Sequence, residues 1–313
     1  MKNIDLTILL TLYNRDEYTS SWLDENIYSL LNYYVADGSL KNNNQKIFLK
    51  RKFDNLEYKR FNFDSNTKDY LNKLKISLNS IKTKYVMIND NDDFIVNEGL
   101  KKIVFFLDKN KEYDFCSGKI YYIKKSKRND NKFYFYLNSL NNYGYSNGNF
   151  IRSLKNYLLG SKGCSYLWYS VYRREFLSRI IDMLIKNKVY NWQAIEIFHT
   201  IYSLKYGRYK YLRNCHYIRQ ISNDSVTMNR KTPKTFMESF IKDIDKHNKI
   251  IESIIDRENI NQFEVKKIFR RSFIKKINRR NQQNFLNKMF LYFLGRILLL
   301  FELKLSLIRL LLS

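Results

Sequence analysis

Short apolar runs that break off into polar residues recur along the first hundred positions. The first, Leu6 to Leu12, stops at Tyr13, Asn14, Arg15 and Asp16. A helix-like stretch from Glu17 to about Leu31 follows, and a second short run from Asn32 ends in Asp37 ahead of a Gly38 turn. A third, Tyr85 to Ile88, ends in Asp90, Asp92 and Asp93. Short apolar runs bounded by turn chemistry predict buried strands. Strand, helix and strand within roughly 35 residues predict a βαβ unit that closes right-handed onto a parallel sheet. The polar tips of such strands fall at their carboxyl ends, where sheets of this kind take their ligands.

Further along, residues 99–110 predict an amphipathic helix and Asp114 to Ile123 a strand. Lys124 to Asn149 is polar and reads as a hairpin or loop over an acceptor site. Arg152–Leu159, Arg174–Lys186, Val189–Leu204 and Phe236–Ile255 predict helices; Trp168–Arg174 and Tyr209–Arg213 predict strands. Pro233 marks the passage to a different kind of sequence. From Arg257 to Ser313 there are thirteen Lys or Arg against three Asp or Glu, and the basic pairs at 266–267, 270–271, 275–276 and 279–280 alternate with Val265, Ile268, Phe269, Phe273 and Ile277. Helical spacing puts the apolar side chains on one face and the cations on its flanks. Phe285 to Ser313 is strongly apolar but carries Arg296, Glu302, Lys304 and Arg309. A spanning helix needs about 20 largely uncharged residues, so this segment predicts a helix lying in the membrane interface, the alternative being a helical hairpin packed on the preceding domain or on a second copy.

Composition narrows the classes. The chain has 313 residues, 44% of them apolar, with one proline and nine glycines, which supports a sizeable core and argues against disorder or a turn-rich all-β fold. Cys116, Cys164 and Cys215 are odd in number and widely spaced, the pattern of free thiols in a reducing compartment. Leu6–Leu12 is too short to span a membrane and has no basic leader, so it reads as a strand. The net charge of +26 calls for a polyanionic neighbour: nucleic acid, anionic lipid or a charged glycan precursor.

The chemistry concentrates at the third strand end. Three carboxylates within four residues repel one another unless a cation or donors neutralise them. Hard oxygen ligands suit Mg²⁺ or Mn²⁺, which grip diphosphates through one or two carboxylates.

Taken in order, Thr11-Leu-Tyr-Asn-Arg15, Ala36-Asp-Gly-Ser39 and Asp90-Asn-Asp-Asp93 resemble the elements of the GT-A fold glycosyltransferases, in particular the family 2-like group. The likeness covers residues 4 to 110 well and weakens toward residue 226. It implies an α/β fold, a Rossmann-like, mostly parallel sheet flanked by helices, in residues 1–230. Residues 1–110 would form the nucleotide-sugar half and 111–230 the acceptor half, and 231–313 a helical, polybasic, membrane-interfacial extension. It implies that Thr11, Tyr13, Asn14 and Arg15 line the nucleotide pocket, and that Asp37 accepts hydrogen bonds from the base or ribose. Asp90 would hold the ribose or a metal-bound water and Asp92 would ligate the metal. His216 stands where several such enzymes place a late metal or phosphate contact, and Arg219 could neutralise the diphosphate. An acid near the start of a late helix takes the acceptor proton in this family. Asn191 and Gln193 are amides, so Glu196 is the candidate base and Asp93 the next. One departure concerns the second element, where the family usually has two consecutive acids; here Ala36 precedes Asp37.

The implied activity is transfer of a sugar from a nucleoside diphosphate sugar to a glycan or lipid-linked acceptor, with Mn²⁺ or Mg²⁺ and inversion. The protein would be peripheral on the inner face of the cell membrane, held to anionic lipid by its tail. The absence of a Gly-rich loop after the first strand weighs against a nucleotidyltransferase. A basic nucleic-acid-binding or membrane scaffold protein is the non-catalytic alternative, against which stands the lack of an RNA-binding signature.

Overall fold

The computed structural model describes residues 4–125, 133–136, 149–159, 165–221, 243–255 and 261–272. The chain forms two compact units, Met1–Phe269 and Arg270–Ser313. Beyond residue 272 the second unit lies outside the described residues, as do Cys164, Pro233 and most of the expected 124–149 hairpin.

Four strands form a parallel half-sheet: β1 (Leu6–Leu12), β2 (Asn32–Asp37), β3 (Leu56–Arg60) and β4 (Tyr85–Asp90), joined by α1 (Asp16–Asn26), α2 (Asn43–Lys50) and α3 (Thr67–Ser80). β1 is buried at all seven positions, as expected of a parallel strand covered on both faces. Asn66 starts α3 by accepting from the amides of Lys68 and Asp69 at 2.8 and 3.1 Å, and α3 buries Tyr70, Leu71, Leu74 and Leu78 along one stripe. Each aliphatic chain so buried contributes roughly 1.5–3 kcal/mol.

After β5 (Phe94–Ile95) and α4 (Asn97–Lys109), the chain adds β6 (Phe115–Lys125), β7 (Phe133–Tyr136), the short α5 (Phe150–Leu154) running into a π turn over Lys155–Leu159, and β8 (Val171–Arg173). Then come α6 (Arg174–Lys186), α7 (Trp192–Tyr206), β9 (Tyr209–Ile221) and α8 (Ile244–Ile255). Residues 262–272 form a further helix. The strand order among the described residues is β3-β2-β1-β4-β8-β6-β9-β5, with β7 beside β6. β8 runs antiparallel to β4 and β6, while β6 and β9 run parallel. This is the α/β architecture expected from the strand pattern.

Local differences are instructive. Trp168–Arg174 is not one strand: Ser165–Tyr169 winds as a 3₁₀ turn, and only Val171–Arg173 pairs. β9 does not stop at Arg213 but continues through His216 to Ile221, with an irregular register opposite Ser117 and Lys119. The core joins both halves: Phe115 stacks on Tyr172 at 4.9 Å and on Phe176 at 5.8 Å. α7 is buried on most sides. Phe198 meets His247 of α8 at 5.6 Å and Phe269 at 5.1 Å, so both late helices pack into the first unit.

β1 lies between β2 and β4. The chain winds outward from β1 through β2 to β3, then crosses back to place β4 on the other side. The crevice at such a reversal is the ligand position of an open α/β sheet.

Candidate functional site

The register puts Leu12 opposite Asp37 and Thr11 opposite Asp90, so three strand ends lie side by side at the reversal. From β1 the chain turns through Asn14 and Arg15, both left-handed at φ 57° and 60°. Two successive non-glycine residues there cost of order 1–3 kcal/mol each, and the surroundings hold them. The Asn14 amide donates to Ser39 Oγ at 2.7 Å, and Asn14 Oδ1 accepts from the Leu40 amide at 2.9 Å. Asn91, inside the acidic turn, donates to the Arg15 carbonyl at 3.0 Å. The Tyr-Asn-Arg element is thereby tied to both the Asp-Gly-Ser loop and the acids.

α1 fixes the acidic turn from behind. Trp22 Nε1 donates to Asn89 Oδ1 at 2.9 Å, and Asn26 accepts from the Ile95 amide at 2.7 Å while donating to the Asp93 carbonyl at 3.4 Å. Oxygens of Asp90, Asp92 and Asp93 lie within 4.8 Å of one another. Asp92 Oδ2 is paired with Arg15 Nη1 at 2.8 Å. Asp90 Oδ2 accepts from the Tyr169 hydroxyl at 2.8 Å, and Thr11 reaches toward Oδ1 at 3.5 Å. Asp93 accepts from the Tyr217 hydroxyl at 2.5 Å and the Gln220 amide at 2.8 Å. Burial, then the charge of Asp92, raises the pKa of Asp90 and pushes that of Asp93 up further. Arg219, whose guanidinium lies 5.4 Å from the centre of the Tyr169 ring, pulls both back. Were all three ionised, the carboxylates would exceed the two guanidiniums by one charge, and a divalent cation among them would favour that ionised form. Asp92 and Asp90 are the acids of this group that keep some exposure, whereas Asp93 is buried.

Thr11, Tyr13, Asn14, Arg15, Asp90 and Asp92 therefore come together, with Arg219 arriving from β9. Tyr13 stacks on Phe63 beyond β3, ring centroids 5.7 Å apart. Two expected residues are placed differently. Asp37, expected to face a base or ribose, is completely enclosed. Its Oδ1 accepts from the Ser39 amide at 2.8 Å, and its Oδ2 is shared by Tyr58 at 2.6 Å and Arg60 at 2.9 Å. It shapes the pocket by holding Ser39 and Arg60. His216, expected at a metal or phosphate, is also fully buried. Nδ1 takes the Gly118 amide at 3.1 Å and Nε2 faces the Tyr169 carbonyl at 3.0 Å. Those partners select the neutral Nε2–H form, and burial lowers its pKa to about 4. His216 thus stands behind Tyr169, outside the group of acids. Glu196 is half-buried, just over one turn into α7. That helix starts beside α3, where Thr67 donates to the Tyr190 carbonyl and Trp192 packs on Tyr70 at 4.6 Å.

Sequence reading missed the residues that grip the acids from a distance, Tyr169, Tyr217 and Gln220, which no local pattern marks. It also missed a buried ion pair at the end of β1. Lys73 of α3 bonds Asp64 and donates to the Leu12 carbonyl at 3.0 Å, and burial raises the Asp64 pKa while lowering that of Lys73. The Asp64 carboxylate presses on Gly38, where a Cβ would approach it to 2.4 Å. The glycine of the Asp-Gly-Ser element is thus demanded by that contact.

No protein-family profile and no curated protein sequence matches the chain. Solved structures do match in fold. Residues 1–349 of TarS from S. aureus, in a crystal structure with UDP-GlcNAc, superpose with a TM-score of 0.52 at 16% identity, covering 86% of this chain and 70% of that one. The same TarS segment in a further crystal structure gives 0.50 at 16% identity over 88% and 71%. A mannosyltransferase from Pyrobaculum calidifontis, with GDP-Man and Mn²⁺, aligns at a TM-score of 0.47 and 14% identity over 86% and 69%. The fold is that of the GT-A glycosyltransferases.

Proposed function

We propose that the protein transfers a sugar from a nucleoside diphosphate sugar to a glycan or lipid-linked acceptor, assisted by a divalent cation and with inversion at the anomeric carbon. The observation that carries this reading is the convergence of the β1, β2 and β4 ends at the sheet reversal, with Arg15, Arg219 and three acids at its mouth. TarS, in a structure of the same fold, holds UDP-GlcNAc.

In this reading Asp92, with Asp90, would hold Mn²⁺ or Mg²⁺, which when bound stabilises the charge growing on a diphosphate leaving group. The protein's own groups do the remaining work. Tyr13 and Phe63 offer ring faces to the base. Arg219 and Arg15 bring guanidinium charge to the diphosphate. The hydrogen bonds from Tyr169, Tyr217 and Gln220 keep Asp90 and Asp93 from moving as charge shifts. A proton must leave the acceptor hydroxyl as its oxygen attacks, and Glu196 is the first acid on the helix that starts next to the crevice. The acceptor's membrane location, and attachment of the enzyme to anionic lipid through residues 273–313, belong to the same proposal.

Asp92→Ala decides the matter. Turnover of UDP- or GDP-sugars in the presence of Mn²⁺ is expected to fall at least 100-fold with the thermal unfolding temperature changed little. Full activity in that variant removes the metal assignment. Nucleic-acid binding with a steep salt dependence and no nucleotide-sugar binding would instead favour the scaffold reading.

A further inference from the structure

Arg15 makes an ion pair with the acid best placed to hold a cation, and its surroundings explain why it stays there. Its carbonyl is bonded by Asn91, its backbone is held left-handed, and its guanidinium lies 4.3 Å from the centre of the Tyr18 ring. From that fixed base Nη1 reaches Asp92 Oδ2 at 2.8 Å. A divalent cation ligated by Asp92 would sit about 2.0–2.2 Å from a carboxylate oxygen, too close to a guanidinium on the same carboxylate to be tolerated without loss. Arg15 and the cation are therefore rivals for one group.

We infer that Arg15 is the resident counter-cation of Asp92 in the donor-free protein, that a divalent cation must displace it, and that the displaced guanidinium is recompensed by the donor's diphosphate. This rests on the reading of Asp92 as a metal ligand, and it adds a regulatory consequence. Metal alone binds weakly because it must break the Arg15 pair. A diphosphate arriving with the metal accepts the freed charge, so the two bind cooperatively, and the coupling is reciprocal. The protein then does not hold a metal while its donor pocket is empty. Only the side chain of Arg15 needs to move, since Asn91 and Ser39 anchor the turn itself.

The test is Mn²⁺ binding, followed by the loss of the free-ion electron paramagnetic resonance signal, in the wild type, Arg15→Gln and Arg15→Lys. In the absence of nucleotide, Arg15→Gln should bind Mn²⁺ at least tenfold more tightly than the wild type, whereas Arg15→Lys, which keeps the charge, should bind as weakly as the wild type. Adding UDP or GDP should tighten Mn²⁺ binding to the wild type beyond the nucleotide's own affinity for the ion, and should tighten binding to Arg15→Gln much less. Should Arg15→Gln fail to fold, Arg15→Met carries the same expectation. Wild type that binds Mn²⁺ while a folded Arg15→Gln or Arg15→Met binds it no more tightly overturns this inference and leaves the metal reading standing. No Mn²⁺ binding by any form, with or without nucleotide, overturns both.

Discussion

Both ring nitrogens of His199 are buried with no hydrogen-bond partner among the described residues, between Trp168 at 4.9 Å and Tyr172 at 5.7 Å. An imidazole so enclosed resists protonation, and burial alone takes its pKa down to about 3. The unfolded chain binds that proton at about pH 6.5, so stability is full above that pH and falls as the pH drops toward the folded value. Between pH 6.5 and 5 the loss from this one residue should be about 2 kcal/mol, at roughly 1.4 kcal/mol per pH unit. Denaturant unfolding at pH 7 and pH 5, with His199→Leu alongside, measures it. The variant should lose markedly less stability than the wild type over that interval, and an equal loss would assign the acid sensitivity to the carboxylates. No residue-level pattern in the sequence marked His199, because its position on α7 looks the same as that of any helical histidine. The same limit hid Tyr169 and Tyr217. By contrast the sequence marked Asp92 and Arg15 as candidates because each stands where an apolar run ends, although Asp37 stands at such an end too and is enclosed as a structural group.

Elements were legible where the pattern is local and strong. Arg174–Lys186 was expected as a helix and forms one over the same residues, because its apolar positions recur with helical spacing and are buried on one face. Trp168–Arg174 misled because aromatic residues suit strand and turn alike; tertiary demand decides, curling Ser165–Tyr169 so that Tyr169 reaches Asp90. The joint between α4 and β9 shows the same override. The Val96 amide donates to the His216 carbonyl at 3.0 Å, drawing the start of α4 onto the β9 backbone. Gly99 makes that approach possible, since a Cβ there would lie 1.7 Å from the Cys215 carbonyl oxygen and 2.8 Å from His216 Cα. Replacing a helical glycine by alanine stabilises by about 0.5–1 kcal/mol where space allows. Gly99→Ala should do the reverse, costing about 1–3 kcal/mol as an overpacked contact against backbone that cannot retreat. Denaturant unfolding gives the sign directly, and a stabilised variant would show that the two elements separate freely. Because β9 also carries Tyr217 and Gln220, the variant should weaken binding of a nucleoside diphosphate as well.

At the scale of the molecule the question is what the charge is for. The late helices are not an appendage: Val265, Ile268 and Phe269 are buried, and α8 buries Ile250, Ile251, Ile254 and Ile255. Among the described residues no helix is long and apolar enough to cross a membrane. Phe263, by contrast, is exposed, as are Lys267, Arg270 and Arg271, so one side of helix 262–272 is apolar and packed while the other presents cations. Removing residues from 257 onward would strip core side chains from the first unit and confuse unfolding with release from lipid. A cut after Ser272 keeps them and removes eight basic residues and one acidic one. Each basic residue near an anionic leaflet contributes about 1 kcal/mol, and an interfacial apolar helix adds more. Deleting 273–313 should therefore lower affinity for phosphatidylserine-containing vesicles by at least 100-fold in co-sedimentation. The full chain should lose most of its own binding as salt rises and the leaflet's potential is screened. Nucleotide binding in a thermal-shift assay should survive, since the residues of the crevice all lie in the first unit. Vesicle binding unchanged by the deletion would move the membrane contact to the exposed face of helix 262–272. Binding to neither lipid nor nucleotide by the full chain would leave its positive charge to a different polyanion.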